Sequence, residues 1–536
     1  MAEILRRTGT CLLPIIKSEV TAAAKIIKPC RNNVLNLARN LKRGRLKMSK
    51  QMNVLLIMMD QLRADTLGCM GHPIIKTPNL DRLAKQSTLF TQAYCTTPLC
   101  VPSRTTLFTS QYAGYKRGRF SNGIILGEKD QHLPGVLREN GYELVMVGKN
   151  HAFVDEYMRT WAFCEMYDLR GKEEKDFCSP LTPEDRRVRN WRHNQDIVPI
   201  QEGVVKVPQP GGIQADPNVS QTEHALRYLK SRDRNRPFFM YYSFESPHFP
   251  YVVPEEYFDL YDPETMPGPE GREPLLGGMP TRLWMQYYGQ KYDTLSLWDY
   301  KRVQATYLAQ VSLVDSQIGR VLDCLEQTGE MDSTLIVFTA DHGDFWGNHD
   351  LIGKTNAVYQ DLLRIPLMIR IPGVTAGENT EAMTDNTDVA PTLLELLDIP
   401  VPGSMQGRPV TGIARTGQGT HRDHILAESR LGEIPALTVD QLKEAIVNRN
   451  ELMQKEGHSW FGKRQMGWVR GYVRQDGMKV ITNENDITEM FDLNRDPLER
   501  HNLAEDPVFA GLRQELLDQM DEALKEKYAW KASDEM

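Results

Sequence analysis

From Asn53 onward the chain alternates short apolar runs with stretches that follow a helical period. The apolar runs are Asn53–Met59, Glu143–Val147, Pro237–Phe244, Thr334–Thr339 and Pro366–Ile371. Each is continuous rather than alternating and carries branched or aromatic side chains, which predicts strands buried on both faces. Between them, Thr77-Pro78 predicts a helix start, with the threonine as N-cap and the proline in the first turn. Leu133–Asn140, Thr222–Arg232 and Tyr300–Gln327 follow the helical period. Strands alternating with helices predict an α/β fold built on a large mixed, mostly parallel sheet flanked by helices.

Pro- and Gly-rich punctuation at Pro400–Gly412 and Gly417–Gly419 marks a boundary. Beyond it, His424–Glu428, Met466–Val473 and Met478–Thr482 predict a small antiparallel sheet, and Pro507–Lys525 predicts a closing helix. The expected layout is a basic N-terminal extension at 1–50, a catalytic α/β domain at 51–415, and a small α+β domain at 416–536. Two stretches, about 152–235 and 250–300, fit no regular element well. They are rich in Pro, Gly and aromatic residues, among them Trp161, Tyr167, Trp191, Trp284, Tyr287, Tyr288 and Trp298. Insertions of this kind on an α/β scaffold build substrate mouths, while any single aromatic is as readily explained as a satellite core beneath a long loop.

Charge changes the picture in one place. The chain of 536 residues has a net charge of -7, which calls for neither nucleic acid nor an acidic membrane. The first 50 residues hold 12 Lys/Arg against Glu3 and Glu19, leaving 52 basic and 69 acidic residues, or -17, in the remainder. No apolar run approaches transmembrane length, and Cys11–Ile16 is too short and proline-broken for a signal-peptide core. The expectation is a cytoplasmic protein whose residues 1–47 are a presequence, an amphipathic arm, or an extension ahead of a start at Met48. Eight cysteines without a C-x-x-C pair predict neither a disulfide framework nor a zinc cluster.

Candidate chemistry gathers where the predicted strands end. The first runs into Asp60-Gln61, the second into Gly148-Lys149-Asn150-His151, the third into Ser246-Pro247-His248, and the fourth into Asp341-His342-Gly343-Asp344, with Gly353-Lys354 shortly after. In open parallel sheets ligands sit beyond the carboxyl ends of the strands. Carboxylates and neutral imidazoles there can hold a hard divalent cation, and lysines an anion beside it. Taken singly, an Asp after a strand is commonly a helix cap and a lone His or Lys a solvated loop residue; together they converge on one edge. Cys100-Val101-Pro102-Ser103-Arg104 precedes a predicted helix from Pro102 to Ser110, so Cys100 falls near a helix N-terminus, where backbone amides favour an anion. An isolated cysteine is usually a buried structural residue; that reading does not account for its company.

These segments resemble the type I sulfatases of the alkaline phosphatase superfamily, over about Asn53 to Asp506. C-x-P-S-R is similar to the family's formylglycine signature, G-K-N-H at 148–151 to its lysine–histidine motif, and Ser246-Pro247-His248 to its third-histidine segment. Ala340–Asp344 and Gly353-Lys354 resemble the second metal segment and the distal lysine. Phe491-Asp492-Leu493, Asp496-Pro497 and Asn502-Leu503-Ala504 resemble the family's small-domain sequence. The chain departs from the pattern at Ser110-Gln111, where the family has Gly-Arg, at Gln61, where many members have aspartate, and at His342, where many have asparagine. The last two variants are similar to choline sulfatases and to phosphonate monoester hydrolases.

The resemblance implies a sulfatase that hydrolyses a small-molecule or saccharide sulfate ester. It implies that a formylglycine-generating maturation enzyme oxidises Cys100, and that hydrated residue 100 attacks sulfur. One divalent metal, Ca²⁺ with Mg²⁺ or Mn²⁺ as alternatives, is implied to be held by Asp60, Gln61, Asp341, His342 and residue 100. Lys149 and Lys354 are implied to neutralise the sulfuryl oxygens, His248 to protonate the leaving oxygen, His151 to take a proton from residue 100, and Arg104 to orient the nucleophile. The rivals are a phosphonate monoester or phosphodiester hydrolase of the same superfamily, and a catalytically silent binding relative.

Overall fold

The computed structural model describes residues 51–115, 118–166, 183–196, 206–269, 280, 282–283, 286–287, 290, 292–374, 378–430, 467–484 and 486–529. Its centre is β1 (Asn53–Asp60), buried at every position, as the unbroken apolar run predicts. The large sheet also contains β2 (Thr88–Tyr94), β3 (Glu143–Gly148), β4 (Phe163–Met166), β5 (Phe238–Pro247), β6 (Thr334–Ala340), β7 (Arg364–Arg370), β8 (Asn379–Thr380) and β9 (Thr384–Asp385). The order is β4-β3-β5-β1-β6-β7-β2-β8, with β9 also on β2. The first five strands of that order are mutually parallel. β7 runs antiparallel to both β6 and β2, so the sheet is mixed and mostly parallel.

Helices flank the sheet: α1 (Pro78–Ala84), α2 (Cys100–Thr109), α3 (Leu133–Glu139), α4 (Pro183–Asp196), α5 (Pro217–Ser231), α6 (Leu297–Gln327) and α7 (Val389–Leu396). The predicted cap of α1 is not what the threonine does. Thr77 accepts from Gly68 N–H and donates to Asp81, while the free amides of Asn79 and Leu80 are taken by Asp315 of α6. α5 starts ahead of the predicted Thr222, because Asp216 accepts from Asn218 N–H and Pro217 fills the first turn. The stretches expected to be irregular therefore hold β4, α4 and the first turns of α5. α6 begins with a capping box between Ser296 and Asp299.

The smaller sheet is antiparallel, in the order β10 (His424–Arg430), β11 (Trp468–Arg474), β12 (Met478–Asn483) and β13 (Glu489–Asp492). Alternation divides its side chains between two faces. Ile425, Ala427, Val469, Val473 and Ile481 join the core of the large sheet. Leu426, Tyr472, Val480 and Met490 pack with Leu516, Met520, Ala523 and Leu524 of the last helix, α8 (Ala510–Ala529). Among the described residues no helix is long and apolar enough to cross a membrane.

Candidate active site

The parallel register assembles the site. Met59 pairs with Ala340, so Asp60 and Asp341 emerge side by side from β1 and β6. Gly148 pairs with Ser243, which brings Lys149 beside the end of β5 and the turn to His248. A Cβ at Gly148 would lie 2.0 Å from the Ser243 carbonyl oxygen, and its φ is +99°, so only glycine lets β3 leave the sheet there. Cys100 is the first residue of α2, two positions earlier than the predicted helix start, and is buried.

Asp60, Cys100, Asp341 and His342 each offer one donor atom, and these atoms all lie within 4.8 Å of one another. Cys100 Sγ is 3.6 Å from Asp60 Oδ1 and 3.4 Å from His342 Nε2. The Nδ1–H of His342 donates to the Gly343 carbonyl at 2.9 Å, which turns the Nε2 lone pair toward the cluster. Two buried carboxylates, an imidazole and one further side chain at this spacing suit a divalent cation.

Gln61 enters this site as a bridge. Its backbone N–H donates to Asp341 Oδ1 at 2.9 Å, its Nε2 donates to Asp344, and its Oε1 accepts from Lys354 Nζ at 2.7 Å. Asp344 also accepts from Tyr251 and from the amides of Trp346 and Gly353. It was legible only as part of the segment Asp341–Asp344, and its role as the anchor of Gln61 had no sequence signal.

Arg104 lies beneath the carboxylates that flank Cys100. Its Nη2 donates to Asp60 Oδ2 at 2.7 Å and its Nε to Asp341 Oδ2 at 2.8 Å. Its Nη1 donates to the hydroxyls of Tyr241 and Ser243 and to the Lys149 carbonyl. Position 104 follows position 100 by one helical turn, so both side chains share a face of α2 and Arg104 reaches the carboxylates that flank Cys100. Lys149 Nζ is 2.9 Å from Asp60 Oδ2 and 3.6 Å from Glu245 Oε1, a buried acid near the end of β5. His151 lies close enough to Cys100 to hold its thiol pKa down. His248 faces the Phe249 carbonyl through Nδ1 at 2.6 Å and stacks on the Phe249 ring.

Burial and neighbouring charge compete at each group. Burial pushes the Asp60 carboxyl up, but Lys149, His248, Arg104 and Lys354 together hold it well below the usual carboxylate range. Burial and Asp60 push the Cys100 thiol up, yet Lys354, Lys149 and His151 hold it well below its ordinary value. Asp341 goes the other way, raised by burial and by Asp60 beyond what His342 and Arg104 offset. A cation between the two carboxylates would relieve that repulsion, so the donor set and the electrostatics fit the group the resemblance implies.

Of the aromatic residues flagged in the insertions, Trp161 is a core residue, packed among Phe153, Tyr157 and Phe239. Trp191 and Tyr287 are half-buried, and Trp298 is exposed beneath Lys206. Tyr167, Trp284 and Tyr288 lie outside the described residues.

The family model described as Sulfatase matches residues 52–399. An arylsulfatase of Clostridium perfringens is 27% identical, over 80% of this chain and 89% of its own length. An N-acetylglucosamine-6-O-sulfatase of Bacteroides thetaiotaomicron is 27% identical, over 89% and 87%. Among solved structures, the phosphonate monoester hydrolase from Silicibacter pomeroyi superposes with a TM-score of 0.70 at 24% identity, over 90% of this chain and 97% of its own; that likeness is one of fold.

Proposed function

The chain belongs to the sulfatase family of the alkaline phosphatase superfamily and is a sulfuric ester hydrolase, and from that premise we propose that it acts through Cys100 oxidised to formylglycine, beside one divalent metal. The observation that carries this reading is the placement of Cys100, at the head of α2, within reach of Asp60, Asp341 and His342.

Asp60, Asp341, His342 and residue 100 would hold the metal, Ca²⁺ by preference for the carboxylates, with Mg²⁺ or Mn²⁺ as alternatives, whereas Gln61, implied as a fifth ligand, has both amide atoms engaged by Asp344 and Lys354. Once bound, it supplies Lewis acidity and charge that favour sulfuryl transfer. Formylglycine, when hydrated, supplies a hydroxyl nucleophile in place of the thiol. Lys149 and Lys354 bind and orient the sulfuryl oxygens, and Lys354 is steadied by Gln61. His248 directs Nδ1–H to the Phe249 carbonyl, which leaves Nε2 to deliver a proton to the departing oxygen. His151, beside the side chain at position 100, would accept its proton. Arg104 and Lys149 fix Asp60.

The substrate is a small-molecule or saccharide sulfate ester, and a formylglycine-generating enzyme is the maturation partner. Peptide mass spectrometry of the segment that contains Cys100, on protein made with and without such an enzyme, tests the reading. Turnover of an aryl sulfate should track the formylglycine fraction. Full activity with an unmodified thiol would refute it.

A further inference from the structure

We propose that Arg430 and Arg470, ordered on Trp468, form a second anion-binding subsite beside the segments that carry Cys100 and Lys354, where a saccharide substrate places a further sulfate. The proposal rests on the sulfatase reading above and names the substrate class: a sulfated saccharide carrying more than one anionic group.

The smaller sheet dictates the arrangement. Arg430 pairs directly with Trp468 across β10 and β11, and Glu428 pairs with Arg470. Alternation puts these four side chains on the face that also carries Leu426 and Tyr472. α8 covers that face as far as Glu428, whose carboxylate accepts from Lys527 and Tyr528 at the end of the helix. Farther along the same face, the Arg430 guanidinium lies 5.1 Å and that of Arg470 4.6 Å from the centre of the Trp468 ring. Phe120 meets the same ring edge-on, with centroids 5.0 Å apart.

Two contacts tie this platform to the walls of the active site. Asn122, two residues from Phe120, accepts from the Val101 N–H at 3.2 Å, in the first turn of the helix that begins with Cys100. Asn356, two residues from Lys354, donates to the carbonyl of Gly467, next to Trp468, at 3.5 Å. The platform thus stands beside the segments that supply the nucleophile and the distal lysine.

Its charge is positive. Arg470 donates through Nε to Glu428 at 3.3 Å, but that acid is shared with buried Lys527. Arg430 is exposed, and among the described residues no carboxylate lies within ion-pair distance of it. Stacking on an indole holds a guanidinium in place with its donor edge outward, the geometry that takes a sulfate or carboxylate by two parallel hydrogen bonds. An aryl or choline ester has a single sulfate and nothing for this pair to recognise.

The experiment compares 4-nitrophenyl sulfate with a sulfated disaccharide bearing either one or two sulfates, on formylglycine-containing enzyme. The doubly sulfated disaccharide should be preferred in kcat/KM by tenfold or more, mainly through KM. Arg430→Ala and Arg470→Ala should each cut that preference about tenfold, the size of one charge-assisted contact, and leave 4-nitrophenyl sulfate turnover unchanged. Arg430→Lys should restore part of it. No preference in the unsubstituted enzyme, or equal loss on all substrates in Arg430→Ala, overturns the subsite. If no sulfate ester is turned over, the sulfatase reading fails separately. Calorimetric titration with the doubly sulfated disaccharide then decides the subsite: tighter binding to the unsubstituted protein than to Arg430→Ala upholds it, and equal or absent binding overturns it.

Discussion

Arg104 donates to Asp60 and Asp341 at once, from a fully buried fork. Lysine in its place keeps the charge but cannot span both carboxylates. Arg104→Lys should therefore weaken metal binding by roughly 10–100-fold, the usual cost of disturbing a ligand's supporting contacts, as read by calorimetric titration of metal into the apoprotein. Unchanged affinity would mean that Lys149 alone fixes Asp60. Asp344 invites a different substitution. It takes four donors, and in Asp344→Asn one oxygen becomes an NH₂ that must face a donor. If Gln61 flips in response, its NH₂ turns toward Lys354. The expected result is a loss of about 10–100-fold in kcat/KM with metal stoichiometry intact; an unaltered kcat/KM would show that Gln61 does not steady Lys354. These two residues mark the limit of the sequence. Asp60, Cys100, Lys149, Asp341 and His342 were legible because each closes an apolar run or heads a helix. The four donors on Asp344, the approach of Glu245 to Lys149 and the carboxylate contacts of Arg104 were not, because a side chain's partners across the sheet follow from strand register, which composition does not carry.

At the scale of elements, β1, β3, β5 and β6 were legible from continuous apolar runs, and β2 was not. Its half-buried Thr91 and Gln92, at the shift in its pairing with β7, interrupt the run that would have marked it. The direction of β7 was equally hidden, since a strand buried on both faces has the same composition whichever way it runs. The start of α1 shows how tertiary structure replaces a local cap. Asp315, on α6, accepts from the amides of Asn79 and Leu80, and burial pushes its carboxyl up to about 6. A carboxyl raised from 3.8 binds its proton more tightly in the folded state. Its contribution is fully present below pH 3.8 and is lost as pH rises through about 6. Asp315→Asn retains an acceptor and carries no charge. The stability of the variant minus that of the unsubstituted protein should therefore grow between pH 4 and 7, by up to about 3 kcal/mol for roughly two pH units. Urea midpoints across that range would show it, and a difference that stays constant with pH would mean that Asp315 is ionised as readily folded as unfolded.

At the scale of the whole molecule, charge predicts which of two esters, sulfate or phosphate, the proposed site prefers. The chain beyond residue 50 carries -17, while the pocket concentrates Lys149, Lys354 and Arg104 around Asp60 and Asp341. A sulfate monoester approaches with one negative charge at neutral pH, and a phosphate monoester with nearly two, because its second pKa is about 6. Both meet the same lysines, but under the mechanism proposed above the dianion is repelled more by the ionised nucleophile and by the acidic body. 4-Nitrophenyl sulfate should thus be turned over with a higher kcat/KM than 4-nitrophenyl phosphate. The gap should narrow as salt rises, since screening relieves the repulsion of a dianion more than that of a monoanion. A nitrophenyl phosphonate monoester, also a monoanion, is the informative third substrate, because charge alone does not separate it from the sulfate. Measured on one preparation, the three esters should fall in the order sulfate, phosphonate, phosphate. A phosphonate rate well above the sulfate rate would leave the fold and the metal ligands as described and move the preferred ester to the phosphonate class.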